Sequence, residues 1–273
     1  MRKILVCSDL SDRSHHALVR AAQLVRNHSA SLIICSIVDD DLPPKMVDTL
    51  KRETAEGLTQ ACRSLGHDDA EIVVEVGEPV AAIMAIASRV DADMLVLGTH
   101  RHRPLWDLIY GTTMERLVHA SRLPVLLVPN PVTAAYSRVL AGVDFSPASE
   151  AALRLANLIA ASAKFTTFHA VNVPAPGWFG GASDSDEIRS LTKEAENQLS
   201  AWWQERELPE EIARPVVIPK SLPEAFREMR YEVKPDLVAI GAHGRSGFMQ
   251  GSLGSFTEAI IRWQFCDVLV VRA

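Results

Sequence analysis

Between Gly241 and Glu258 the chain holds five glycines, at 241, 244, 247, 251 and 254. Backbone of this kind turns tightly and lets its amides approach a ligand without interference from Cβ atoms. The stretch follows an apolar run, Leu237-Val238-Ala239-Ile240, and precedes a helical pattern carried by Ala259, Ile260 and Trp263. Ser255 and Glu258 have the S-x-x-E spacing of a capping box, which predicts a helix start just after Gly254. A helix N-terminus offers unpaired N–H groups and a partial positive charge, so the chemistry suggested is anion binding. Two roles compete for Ser255 Oγ: donating to a phosphate oxygen, or capping its own helix. The stretch is not a Walker A loop, since no Gly-Lys-Ser/Thr ends it. Nor does it have the spacing of the G-x-G-x-x-G dinucleotide fingerprint.

The elements that must position this loop occur twice. Ile4-Leu5-Val6-Cys7-Ser8-Asp9-Leu10-Ser11 returns as Val139-Leu140-Ala141-Gly142-Val143-Asp144-Phe145-Ser146, an apolar run ending in Asp-x-Ser. Ala17, Ala21 and Leu24 match Ala152, Ala156 and Ile159, on one helix face. Asp93 to His100 returns as Asp236 to His243. Asp9 and Asp144 lie 135 residues apart, whereas Gly98 and Gly241 lie 143 apart, so the second copy holds about eight extra residues. Residues 174–183, rich in Pro and Gly, suit that insertion. The copies meet near Pro129-Asn130-Pro131, which predicts domains over 1–130 and 136–273.

Within each copy strand and helix patterns alternate. Strands are predicted at 3–7, 31–38, 71–76, 93–98 and 124–128, then at 138–143, 165–172, 213–218, 236–241 and 267–271. In the first copy helices are predicted between them, at 13–28, 44–65, 79–90 and 112–120. Continuous apolar strands are those of a parallel sheet covered on both faces, and the alternation predicts α/β domains. Ligands of such sheets bind beyond the carboxyl ends of the strands, where Asp9, Gly98, Asp144 and Gly241 fall.

A formal net charge of −6 without a basic stripe argues against nucleic-acid binding. No apolar run approaches the ~18 residues that span a bilayer, so no membrane segment is expected. The apolar start stops at Ser8-Asp9, too early for a signal peptide. Four scattered cysteines, Cys7, Cys35, Cys62 and Cys266, read as reduced thiols of a cytoplasmic protein.

The glycine stretch resembles the universal stress protein family, whose nucleotide-binding members carry Gly, two residues, Gly, nine residues, then Gly-Ser/Thr. Here Gly241, Gly244, Gly254 and Ser255 meet that pattern, and the duplication extends the resemblance over essentially the whole chain. The resemblance implies two tandem Rossmann-like domains of the adenine-nucleotide α-hydrolase-like type, each a five-stranded parallel sheet flanked by helices. It implies that Asp144, with Gly142 and Val143, holds ribose and adenine, and that Ala170 or Val171 borders the adenine. Gly241, His243, Gly244, Arg245, Gly254, Ser255 and Phe256 would hold the phosphates of ATP, with Mg as the usual cation. The resemblance further implies that the last strands, 125–128 and 268–271, pair domains within one chain or between two in a homodimer. The function implied is nucleotide-dependent regulation in the stress response, read by an unidentified protein partner. Two rivals stand beside it: a nucleotide-free interaction module, and a slow enzyme hydrolysing or transferring part of ATP.

The first copy departs from the pattern. Asp9, Gly98, Gly111 and Thr112 are in register, but Arg101 stands where the second glycine belongs. Either Arg101 distorts the loop or, with Arg103, it supplies phosphate contacts; the first copy is accordingly the weaker site. His15, His16, His100 and His102 lack further ligands at metal spacing, so loop packing outranks a protein-only metal site. No activated nucleophile stands beside Asp9 or Asp144, so no catalytic residue is assigned. Trp202 is expected in the core and Trp203 outside it.

Overall fold

A computed structural model describes residues 1–99, 113–173, 183–242 and 254–272. The chain divides into two compact units, 1–135 with 260–268, and 136–259 with 269–273.

The first unit alternates β1 (Lys3–Cys7), α1 (Asp12–His28), β2 (Ser31–Val38), α2 (Pro44–Ser64), β3 (Glu71–Val76), α3 (Pro79–Arg89), β4 (Met94–Gly98), α4 (Thr113–Ala120) and β5 (Val125–Val128). Its strands lie in the order β3-β2-β1-β4-β5, all paired in parallel. The chain leaves β1 toward β2 on one side and returns to β4 on the other, which opens a crevice beyond the ends of β1 and β4. Ile4, Leu5, Val6, Met94, Leu95 and Val96 are completely buried. Each contributes roughly 1.5–3 kcal/mol of apolar burial, which fixes the central strands and the ends they carry.

The second copy alternates β6 (Arg138–Gly142), α5 (Pro147–Ile159), β7 (Lys164–Ala170), α6 (Ser183–Glu205), β8 (Val216–Ile218), α7 (Leu222–Val233), β9 (Leu237–Gly241), α8 (Ser255–Trp263) and β10 (Asp267–Val271), residues 260–268 of the last two belonging to the first unit. Its order is β10-β9-β6-β7-β8, with β6 parallel to both β7 and β9, and β7 parallel to β8. The crevice here lies beyond β6 and β9. The expected strands are present, and only β7 and β8 depart from the predicted bounds by more than one residue at an end. Pro215 and Pro219 bracket β8, since proline gives the ladder no N–H. With so short a partner, β7 ends at Ala170, and Val171 makes one further bond, donating its N–H to the Ile218 carbonyl at 2.9 Å.

At the opposite ends of the central strands an aspartate anchors each copy. Asp93 accepts from the backbone N–H groups of Arg2 and Lys3. Asp236 accepts from the N–H and Oγ of Ser137 and from the N–H of Arg138. Residues 260–268 pack with the first unit through polar contacts. Arg20 Nε donates to Asp267 Oδ2 at 2.9 Å, and both side chains are almost fully buried. Its Nη1 donates to Gln23 Oε1 and to the Ala134 carbonyl. Arg262 donates to Glu115 Oε1 at 2.8 Å.

Candidate functional site

In both units the segment leaving the first strand folds into the same turn. Asp9 Oδ1 accepts from the Ser11 N–H at 3.1 Å and from its Oγ at 2.5 Å. Asp144 Oδ1 accepts from the Ser146 N–H at 3.0 Å and from its Oγ at 2.6 Å. The serine then caps the following helix, Ser11 accepting from the Ser14 N–H and Ser146 from the Ser149 N–H. The residue between is left-handed, with φ of 62° at Leu10 and 66° at Phe145. Non-glycine residues reach that region at a cost, so surrounding contacts must hold them there. For Phe145 those contacts are aromatic: its ring stacks on His169 at 4.3 Å between centroids and tilts against Trp202 at 5.8 Å. His169 Nδ1 lies 2.7 Å from the Val143 carbonyl, which ties this cluster to the strand end that carries Asp144. Trp202 is buried, and among the described residues its indole Nε1 meets no acceptor.

The glycines separate into two kinds. A Cβ on Gly98 would stand 2.6 Å from the Arg13 carbonyl oxygen, and one on Gly241 would stand 2.9 Å from the Ser149 nitrogen. These two glycines let β4 and β9 pass the first turns of α1 and α5; their missing side chains serve packing. Gly254 differs. A Cβ there would come no nearer than 4.0 Å to any described atom, and its φ is not in the left-handed range. Its N–H donates to the Ala242 carbonyl at 3.2 Å, and its own carbonyl accepts the Glu258 N–H at 3.1 Å.

That last bond corrects one sequence expectation. Gly254 holds the N-cap position of α8, and Ser255 is its first helical residue, exposed to solvent. The expected capping box of Ser255 and Glu258 is therefore out of register by one, because the carbonyl accepting the first intrahelical bond belongs to Gly254. Ser255 Oγ is released from capping. Thr257, buried beneath it, places Oγ1 3.5 Å from the Gly241 carbonyl. Phe256 packs edge-on against Phe226 at 5.3 Å, which orients the helix start.

Asp144 and Gly241 both stand at the carboxyl ends of the central strands β6 and β9, and Thr257 in the first turn of α8 reaches the Gly241 carbonyl. The sequence itself decides the lineage: the model of the universal stress protein family matches residues 1–129 and, a second time, 135–272. The chain belongs to the universal stress protein family. A universal stress protein of Mycolicibacterium smegmatis is 30% identical over 205 residues, covering 71% of this chain. One of Mycobacterium tuberculosis is 28% identical over 211 residues. Both alignments span 66% of the relative, slightly less than two thirds of its length. In fold, the chain is similar to the crystal structure of a universal stress protein from Archaeoglobus fulgidus. That structure matches with a TM-score of 0.69 at 19% identity, over 99% of this chain and 98% of the other.

Of the residues singled out in this universal stress protein, Gly142, Val143, Asp144, Ala170, Val171, Gly241, Gly254, Ser255 and Phe256 lie among the described residues. His243, Gly244 and Arg245 lie outside them, as do Arg101, Gly111 and Thr112. Asp9 and Gly98 border a cavity of about 190 Å³ in the first unit, beyond the ends of β1, β2 and β4. Ser8, Ser36, Thr99 and Thr113 supply part of its polar lining, and Ile37, Ile83, Leu97 and Met114 part of its apolar wall. Sequence reasoning missed the Phe145–His169–Trp202 cluster, whose members come from three separate segments. The only available signal was His169 standing one residue before Ala170. Asp39, Asp40 and Asp41 also bring three exposed carboxylates within 4.8 Å of one another, and none of the three lines the cavity. No described helix is long and apolar enough to cross a membrane.

Proposed function

We propose that this protein binds ATP in the crevice of its second unit and that occupancy regulates a response to stress. The observation that carries the reading is Gly254. Nothing among the described residues requires a glycine there, yet it stands at the N-terminus of α8 with room in front of it. A phosphate seated against that helix start needs the room and gains from the unpaired N–H groups. Ser255 Oγ donates to the same phosphate group, with Gly241, His243, Gly244, Arg245 and Phe256 completing the binding segment and Mg neutralising the phosphates. Asp144, one of whose oxygens is spent on Ser146, accepts from the ribose hydroxyls through the other. Ala170 and Val171 border the purine.

A ligand regulates only through different affinities for two arrangements of the protein, so a partner or a second copy of the chain must distinguish them. The test is titration calorimetry of nucleotide-stripped protein with Mg-ATP, then with AMP. One ATP per chain is the expected stoichiometry, and no binding by a folded protein would overturn the reading. Turnover faster than about 1 s⁻¹ would move it to the enzyme class.

The cavity beside Asp9 favours a second reading, in which the first unit also takes a ligand. Two nucleotides per chain in the same titration would establish it. One per chain in the natural protein and two after Arg101→Gly would show that Arg101 closes the first site.

A further inference from the structure

The floor of the first unit's cavity is built from two thiols. Cys7, the last residue of β1, is registered directly opposite Cys35 of β2, and their sulfurs stand 3.3 Å apart in hydrogen-bonding contact. Both residues line the cavity. Cys35 is fully buried, whereas Cys7 is only half-buried, so a small molecule entering from the cavity meets Cys7 first. The matching positions of the second unit, Gly142 opposite Phe168, hold no sulfur.

Neighbouring strands lie about 4.8 Å apart, which is inside the Cα separation of about 4.4–6.8 Å that disulfides span. The sulfurs need to approach by little more than an ångström, within reach of side-chain rotation and a small strand adjustment. Two small apolar side chains filling a strand pair would explain burial alone. They would not explain a sulfur pair in contact with each other on the floor of a cavity large enough for a small oxidant.

We propose that Cys7 and Cys35 are a modification site, oxidised to an intrachain disulfide by a small hydroperoxide that enters the cavity. The Cys7 sulfur attacks the peroxide and takes one oxygen, giving a sulfenic acid while the other oxygen leaves as water, or as the alcohol from an organic hydroperoxide. Cys35 then attacks the Cys7 sulfur, the S–S bond forms, and the sulfenic oxygen departs as water. Two thiols lose two electrons, and one peroxide is reduced. Cys7 is the peroxidatic residue because it faces the cavity, and Cys35 the resolving one because it faces Cys7. The Cys35 hydrogen bond and burial together hold the Cys7 thiol well above the usual thiol range, so Cys7 reacts slowly. The end state is therefore the quantity to measure, and no nucleotide site is assumed.

The full-length chain is incubated with hydrogen peroxide, unfolded in maleimide and weighed intact. The reduced chain takes four maleimides. The oxidised one is expected to take two, with a non-reduced digest joining the Cys7 and Cys35 peptides and dithiothreitol restoring all four. Cys35→Ser is expected to stop at a Cys7 sulfenic acid trapped by dimedone, and Cys7→Ser to leave Cys35 reduced. Four maleimides after peroxide, or a disulfide that uses Cys62 or Cys266, overturns the proposal on the unmutated protein alone.

Discussion

The two crevices share a backbone and differ in what fills it. The Asp-x-Ser turn, its left-handed middle residue and the glycine that clears the next helix recur atom for atom in kind. Above that frame the first unit places Cys7, Cys35 and Ser36 around an open cavity. The second places Gly142, Phe168 and His169 at the same positions, and the Phe168 ring reaches to 3.7 Å from where a Gly142 Cβ would stand. Duplication preserved the parts that hold strand to helix. The side chains that a ligand would touch diverged, so the copies cannot be assumed to bind the same thing.

The largest difference between the copies is also the most breakable. Arg20 and Asp267 correspond to Leu155 and Pro124 in the other copy, so the buried ion pair has no twin. Asp267→Ala leaves a buried guanidinium short of its carboxylate and is expected to cost about 3–5 kcal/mol, read from urea unfolding. Replacing both partners, Arg20→Met with Asp267→Leu, should recover most of that loss.

Next come the packing glycines. Gly98→Val and Gly241→Val each drive a side chain into the helix beside it and should cost about 1–3 kcal/mol, equally in the two copies. Gly254→Val should change stability by no more than about 1 kcal/mol, the scale of a poorer cap. Its expected effect is on affinity: calorimetry should show Mg-ATP binding weakened tenfold or more, which is at least about 1.4 kcal/mol. Unchanged affinity in that variant would remove the proposed phosphate site.

Asp9→Ala and Asp144→Ala each lose the same turn, at about 1 kcal/mol in thermal unfolding. Only Asp144→Ala should weaken ATP relative to its 2′,3′-dideoxy analogue; equal binding of the two nucleotides by the natural protein would exclude the ribose contact.

The smallest effect concerns acid. Asp93 is held below its ordinary carboxylate value, foremost by the Arg2 N–H and then the Lys3 N–H, with burial opposing. A depressed folded value contributes stability that is complete above the unfolded value near 3.9 and is lost as pH falls through the folded one. Asp93→Asn should therefore be less stable than the natural protein at neutral pH, and the gap should close below about pH 4.

Much of this was legible from the residues. Uninterrupted apolar runs of strand length suit strands covered on both faces, so β1, β2 and β4 fall where their patterning puts them, and Asp9 and Asp144 follow the carboxyl ends of β1 and β6. The S-x-x-E spacing of Ser255 and Glu258 located the start of α8 just after Gly254. What local pattern could not resolve was its cap: S-x-x-E spelled a box at Ser255, while the backbone gave that position to Gly254. Contacts between distant segments were invisible for a simpler reason. Nothing in Phe145, His169 and Trp202 says they meet until β7 and α6 are packed, and Cys7 opposite Cys35 needs a strand register. Among the described residues a capping box joins Ser221 and Glu224, outside any stretch read for chemistry.

The pairing of Arg20 with Asp267 joins residues 247 apart in the chain. A ribosome makes α1 long before it makes that carboxylate, so Arg20 lacks this partner until residue 267 has been added. A chain cut short before residue 260 would lack the segment that completes its first unit.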